Sequence, residues 1–295
     1  MKLYWLIEKD LHETEKSHID ILKKLNIDYK LVDGAKFDFN PDTLFNIDDC
    51  VIFYGSLQYG KKVRQSNLVP GLYWNEKNML CSNYYSYYEN ELLHSDYIML
   101  PYGEISRKRD FLFKIFGDTL FIRPDSGNKQ FTGNLLNKDN FDYVLDIINI
   151  YNIDNNLMCL ISSAKNILKE WRFIIVDGEV ISGSLYRDWT NGGELTENDT
   201  KDIVLLKSKS KYELVDENSD VFKYCQKVSK LYEADKAYTI DITLTDNNEY
   251  KVIEIGSFSC AGLYSNDLEK IIKSVNKIAI DDWNEYQEAV NFFEE

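Results

Sequence analysis

The segment AYTIDITLTDNNEYKVIEIGSF, residues 237–258, holds two alternating apolar–polar runs separated by asparagines. Period-2 alternation on both sides of a turn signal predicts a β-hairpin. Asn tolerates the positive φ of a two-residue turn, so Asn247-Asn248 is the expected corner. That register pairs Asp246 with Glu249, Leu244 with Lys251, Ile242 with Ile253 and Asp241 with Glu254. Asp241 and Glu254 then face each other on one side of the ribbon, and Ile240, Ile242, Ile253 and Ile255 fill the other. Like charges directly opposite, with Cβ atoms about 4.5–5.5 Å apart, destabilise a sheet. A shared Mg²⁺ would offset the repulsion, because hard divalent cations take carboxylate oxygens and phosphates together. A slipped register, or two solvated carboxylates on an exposed face, is the other reading of the same pattern.

Moving outward, a strand over 120–122 ends in Arg123-Pro124 and runs into the polar loop DSGNKQFTG, residues 125–133. Flexible backbone around Gly127, with Lys129 mid-loop and Arg123 at its entrance, forms a cradle suited to phosphate oxygens. No GK[ST] opens a helix, so it is not a Walker loop. An ordinary polar turn with solvated cations is the alternative. Further on, WRFIIV-DG-EVISGSLYR reads as a second hairpin, with Asp177-Gly178 as its turn. Arg172 shares a strand face with Ile174 and Val176. An Arg among core-facing residues is expected to be paired or to meet a ligand, since burying its charge alone is costly. Arg187 ends the partner strand, where snorkelling to water is the competing reading.

Residues 1–100 alternate strand and helix signals: strands at 3–7, 29–32 and 51–54, a helix over 14–26, and a helix start at Gly55-Ser56 with Ser56 as N-cap. That start could also bind a carboxylate through free N–H groups. Helices are expected over 105–116 with Ser106 as cap, over 138–151 and over 218–233, a strand over 157–161, and two helical segments at the end. The polar stretch 192–213 reads as a loop, and the tyrosines of 84–88 as a packed aromatic cluster.

The 295 residues include 49 acidic and 34 basic side chains, a net charge of −15. Such acidity disfavours direct nucleic-acid binding, which calls for a basic face. The five cysteines are widely spaced without a CxxC, so neither a disulfide framework nor a zinc site is indicated. Cys159 and Cys225 lie in apolar periodic segments and read as buried free thiols. The start MKLYWLIEKD turns charged at once, unlike a signal peptide, and no run reaches the roughly 20 apolar residues of a membrane helix. A reduced, cytoplasmic protein without a membrane partner is expected. His12, His18 and His94 read as surface residues. Oligomeric state is left open.

Taken in order, FIRP with Arg123, NKQFTG with Lys129, EWRFII with Arg172, TIDIT with Asp241 and VIEIGSFSCAGLY with Glu254 resemble the ATP-grasp superfamily. The nearest resemblance is to its clade marked by two arginines and a lysine, often met in phage-like proteins. It implies an α/β fold, α+β in its C-terminal part: a small N-terminal α/β domain over 1–103, then ATP-grasp subdomains over 104–160 and 161–295. It implies ATP and Mg²⁺ as cofactors. Arg123 stands where many relatives place a phosphate-binding lysine, and Lys129 on the loop closing over the phosphates. Leu160, Ile161 and Ser162 form the hinge whose backbone meets adenine. Arg172 and Arg187 face the phosphates or an acyl-phosphate, and Asp241 and Glu254 hold Mg²⁺. The implied activity is ligation of a small-molecule or peptide carboxylate to an amine through an acyl-phosphate. One departure stands out: the family has Asn two residues after the final metal Glu, and here that position is Gly256, followed by Ser257. Gly256 keeps open a nucleotide-binding regulatory or interaction protein with a decayed site. A ligase acting on a peptide or other macromolecule is the third reading, since net acidity permits a basic peptide acceptor.

Overall fold

In a computed structural model, described over residues 1–9, 15–33, 40–190 and 212–294, the N-terminal alternation folds as a parallel sheet. His12 and the loop expected over 192–213, except its last two residues, lie outside the described residues. Two compact units result. The first comprises Met1–Asn75, Lys169–Ile242 and Glu254–Glu295, the second Glu76–Leu168 and Thr243–Ile253. In the first unit β1 (Lys2–Glu8), β2 (Asp28–Val32), β3 (Asp49–Tyr54) and β4 (Val69–Gly71) are ordered β2-β1-β3-β4, with every neighbour parallel. All residues of β3 are buried, as a central parallel strand requires. Helices α1 (Glu15–Lys24) and α2 (Leu57–Arg64) connect the strands. Ser56 caps α2 as expected, its Oγ accepting from Tyr59 N at 3.2 Å. Ser56 N itself donates to the Glu8 carboxylate at 2.6 Å. The helix start already holds an anion, which removes the reading of a substrate-carboxylate site there.

The second unit contains α3 (Cys81–Tyr88), β5 (Tyr97–Pro101), α4 (Tyr102–Ile105), α5 (Arg109–Phe116), β6 (Thr119–Pro124), β7 (Asn134–Asn137), α6 (Phe141–Asn149) and β8 (Met158–Ser163). Its antiparallel sheet runs β5-β8-β6-β7. Leu112, Ile122, Phe141, Cys159 and Ile161 belong to its core. Tyr84, Tyr85 and Tyr88 are buried on α3 and meet edge to face, the packed cluster expected. Ser106 caps nothing: it lies within the helical run that continues from α4, at φ −61° and ψ −41°, and Lys108 precedes α5.

Further along, β9 (Ile167–Val176), β10 (Glu179–Asp188), β11 (Glu213–Leu214), β12 (Ala237–Thr245) and β13 (Tyr250–Ser257) form a five-stranded sheet ordered β11-β10-β9-β12-β13, of which Ile167, Leu168, Thr243–Thr245 and Tyr250–Ile253 count with the second unit. Asp177 and Gly178 turn from β9 to β10 with φ of 53° and 73°, the conformation of a two-residue I′ hairpin. Helix α7 (Asp220–Val228) buries Val221, Cys225 and Val228. The corner of the second hairpin differs from expectation. Asn248 alone adopts a positive φ, 62°, and Thr245 N donates to Glu249 O at 2.9 Å. The loop therefore has three residues, and Glu249 pairs with Thr245 rather than Asp246. The chain closes with one helix, α8 (Leu268–Glu294), instead of two. No Gly or Pro interrupts it, and Ile271, Ile272, Val275, Ile278 and Ala279 keep a continuous apolar stripe in the core with Trp5, Ile52 and Ile174.

Among the described residues no helix is long and apolar enough to cross a membrane. All five cysteines are free; Cys159 and Cys225 are buried as expected. His18 and His94 are buried too, against the expectation of surface positions. His18 fits between the rings of Trp5 and Tyr54, with centroids 4.8 and 4.9 Å away.

Candidate active site

In the first unit the expected residues gather on the sheet formed by β9, β10 and β12. Arg172 grips Asp241 with two hydrogen bonds, Nε to Oδ1 at 2.8 Å and Nη2 to Oδ2 at 2.7 Å, and its Nη1 reaches Gly262 O at 3.3 Å. Tyr186 Oη lies 2.6 Å from Glu170 Oε2 and 3.2 Å from Asp241 Oδ2. Arg187 Nη1 is 3.4 Å from both Glu170 oxygens. Two arginines and two carboxylates thus balance around one tyrosine hydroxyl. The Tyr186 and Tyr264 rings stack at 4.8 Å, and the Arg172 guanidinium lies 5.5 and 5.3 Å from their centroids. Burial alone would lower the Arg172 pKa, but the charge and hydrogen bonds of Asp241 outweigh it and hold the guanidinium protonated. Burial and the two carboxylates push the Tyr186 hydroxyl well above its ordinary range.

The local cause is a β-bulge. Leu185 pairs with Trp171 and Arg187 with Glu170, so Tyr186 is an extra residue opposite no partner. A bulge re-aims side chains. Here it brings the consecutive residues Tyr186 and Arg187 both to Glu170.

In the second unit Arg123 stands at the end of β6, paired with Leu160 across the ladder. Asp125 anchors the start of the following loop, accepting from Ser82 N and Oγ at 2.7 and 2.8 Å. Gly127 and Lys129 are exposed at its tip, and Lys129 takes φ 52°. Beneath β6, His94 stacks on Phe121 at 4.1 Å and bonds Ser162 Oγ through Nδ1 at 2.7 Å. Burial, with Arg123 and Lys165 nearby, lowers the His94 pKa to about 3, so its ring is neutral. The hinge expectation needs correcting here. Leu160, Ile161 and Ser162 pair with β5 on one side and β6 on the other. Residues of an interior strand spend their backbone groups on the ladder, so these three have none left for a base. Ala164 N still donates to Thr119 O at 3.1 Å, and the chain leaves the sheet at 165–166.

Among the described residues no three His, Cys, Asp or Glu side chains converge as a closed metal site. Mg²⁺ does not require one: it is commonly held by one or two carboxylates while phosphates and water complete the octahedron. Asp241 Oδ2 takes contacts from Arg172 and Tyr186, whereas Oδ1 accepts one hydrogen bond and keeps a lone pair. Asp241 thus keeps an oxygen able to share such a shell, and Glu254 is half-buried on the neighbouring strand β13. Glu170, Tyr186 and Tyr264 belong to the same cluster and were not singled out from the sequence. Only Glu170, two residues before Arg172 on one strand, carried a usable signal.

The fold of the chain recurs in solved structures. D-cycloserine synthetase DcsG superposes with a TM-score of 0.61 at 10% identity, covering 94% of this chain and 99% of that one. The D-alanine–D-alanine ligase from Coxiella burnetii gives 0.60 at 12% identity over 100% and 99%. The ATP-grasp ligase PsnB complexed with minimal precursor gives 0.54 at 10% identity over 93% and 98%. No curated protein matches in sequence. The model of the ATP-grasp domain, R2K clade family 2, matches residues 113–274, and the chain belongs to that family.

Proposed function

We propose that this protein is an ATP-dependent ligase that activates a carboxylate with Mg·ATP and joins it to an amine. The observation that carries this reading is the Arg172–Asp241 clamp beside the Arg187–Glu170 pair on one sheet face of an ATP-grasp chain. In the first step a carboxylate oxygen of the substrate attacks the γ-phosphorus, the bond to the β-phosphate oxygen breaks, and ADP leaves. In the second, the amine nitrogen attacks the acyl carbon, the carbon–oxygen bond breaks, phosphate departs, and the amine proton passes to solvent. No protein nucleophile is needed. The work of the chain is positioning and charge stabilisation.

Arg123, Lys129 and the backbone at Gly127 hold the phosphates. The segment 165–166, just past the strand, takes the place of 160–162 against the base. Arg187, 48% exposed and at 3.4 Å from Glu170, is the looser arginine and the one able to turn toward an acyl-phosphate. Arg172 orients Asp241, and Asp241 with Glu254 holds the metal. Magnesium, when bound, neutralises charge on the transferred phosphoryl group. The acid is a small molecule or a peptide.

Gly256 favours a second reading, nucleotide binding without turnover. Thermal unfolding with and without Mg·ATP, in the natural chain and in Glu254→Gln, tests the site. Ligand at about 100 times its dissociation constant adds roughly 2.7 kcal/mol of stability, several degrees in Tm. A shift that needs magnesium and shrinks in Glu254→Gln supports the site, and phosphate release with pools of acids and amines then separates ligase from binder. A folded protein whose Tm does not move with Mg·ATP sinks both.

A further inference from the structure

We propose that Thr239 supplies the side-chain oxygen that position 256 cannot, completing the protein's share of the metal shell with Asp241 and Glu254. The proposal rests on the nucleotide reading above and names a residue that carries no role there.

Gly256 lacks a side chain, and the neighbour that could stand in for it is committed elsewhere. Ser257 Oγ donates to Tyr73 O at 3.0 Å and accepts from Cys260 N at 3.2 Å. As the next residue on a strand it also points to the opposite face from Glu254 and Gly256. The space beside Gly256 is nevertheless not empty. A Cβ built there would lie 2.9 Å from Thr239 Oγ1, closer than real contacts allow. Thr239 sits two residues before Asp241 on β12, so the two side chains leave the same face. The Thr239 hydroxyl therefore occupies the room a longer residue at 256 would need, on the face that bears Asp241.

That hydroxyl is also unused. Thr239 is 2% exposed as a residue, and its hydroxyl pairs with none of the described residues, yet it is not among the sealed, unpartnered polar atoms of the core. Solvent therefore reaches the oxygen, and it is open to an incoming cation. A threonine hydroxyl offers two lone pairs without adding charge, and Ser/Thr hydroxyls ligate Mg²⁺ in other nucleotide sites. Thr239 and Gly256 then form a complementary pair: the oxygen has moved from one strand to the other, and glycine makes room for it.

The test is Mn²⁺ binding to the full chain, followed by electron paramagnetic resonance, with a non-hydrolysable ATP analogue and without it. Thr239→Val keeps the β-branched shape and removes the oxygen; Thr239→Ser keeps the oxygen. In the presence of the analogue, Thr239→Val should raise the Mn²⁺ concentration for half-saturation by about ten- to hundredfold, the usual effect of disturbing a metal's ligand set. Thr239→Ser should stay close to the natural chain. The exchange Thr239→Ala with Gly256→Asn should recover Mn²⁺ binding that Thr239→Ala alone loses. Unchanged Mn²⁺ binding in Thr239→Val overturns the proposal. So does a Thr239→Val that weakens the analogue equally with and without metal, since the hydroxyl would then be meeting phosphate. A natural chain that binds neither analogue nor Mn²⁺ would instead remove the nucleotide reading itself. Thermal unfolding of each unliganded variant separates lost binding from lost fold.

Discussion

Arg172→Met removes the counter-ion of a carboxylate whose side chain is only 3% exposed, while Arg172 itself is 15% exposed. Two unit charges about 4 Å apart attract by about 4 kcal/mol at an effective dielectric near 20. Removing the cation forfeits that attraction and leaves Asp241 charged and desolvated, with Glu170 and the single proton of Tyr186 nearby. Losing one partner of a buried pair costs about 3–5 kcal/mol, and that is the expected loss for Arg172→Met. Asp241→Asn should cost a similar amount, because Arg172 then faces an amide across bonds of 2.8 and 2.7 Å. The double variant removes both charges, and its loss should be smaller than the sum by at least about 2 kcal/mol, the signature of direct coupling. Urea unfolding of all four ligand-free proteins, followed by far-ultraviolet circular dichroism and tryptophan fluorescence, measures the cycle. Additive losses, or single losses below about 1 kcal/mol, would refute a clamp that holds Asp241 in place.

Three further outcomes follow from neighbouring features. His94 is lowered from 6.5 to about 3 by burial and nearby cations. Its contribution is therefore complete above pH 6.5 and lost as pH falls toward 3, because the unfolded chain takes up a proton that the folded chain refuses. Between pH 8 and pH 5 this amounts to about 2 kcal/mol, and urea unfolding of His94→Gln should lose that share of the pH dependence; an unchanged slope would show the ring is not held neutral. Gly183→Ala would set a Cβ 2.3 Å from the buried Phe173 ring, so a loss of about 1–3 kcal/mol is expected, and a neutral result by thermal unfolding would contradict the packing. A Cβ on Gly127 meets nothing within 4 Å. Gly127→Ala should thus leave stability within about 0.5 kcal/mol while weakening ATP in calorimetric titration if the loop closes over the phosphates.

Much of the fold was legible because local chemistry and tertiary demand agree. Asp177-Gly178 has the residues an I′ turn requires, and the strand burying Val51, Ile52 and Phe53 reads as a continuous apolar run because both faces are covered. The misreadings fall where local signals compete. Asn247 and Asn248 both tolerate positive φ, so composition cannot say which one takes it; the structure selects Asn248 and lengthens the loop by a residue. Ser106 is a good cap by type, but the helical run begins earlier, at Tyr102. Strand β7 reads Asn-Leu-Leu-Asn, without alternation, and exists because β6 offers an open edge for Leu135 and Leu136 to pair on.

At the site, legibility stops where one strand must be known before another can be read. Arg172 was visible because an arginine beside Ile174 and Val176 needs a partner, and Asp241 was visible in its hairpin. That they answer each other is a fact about β9 lying next to β12, which neither segment states. Tyr186 was invisible for a sharper reason. Strict alternation sends Tyr186 and Arg187 to opposite faces, and the bulge at Leu185/Arg187 cancels that rule for one residue, so both reach Glu170. Gly256 poses the same difficulty in reverse. Read along its own strand it is a missing ligand. Read across to Thr239 it is the space that lets a hydroxyl stand 2.9 Å from where a Cβ would be. Whether a departure from a family pattern is decay or exchange is thus decided by the cross-strand neighbour. Here that neighbour carries an oxygen with no other use.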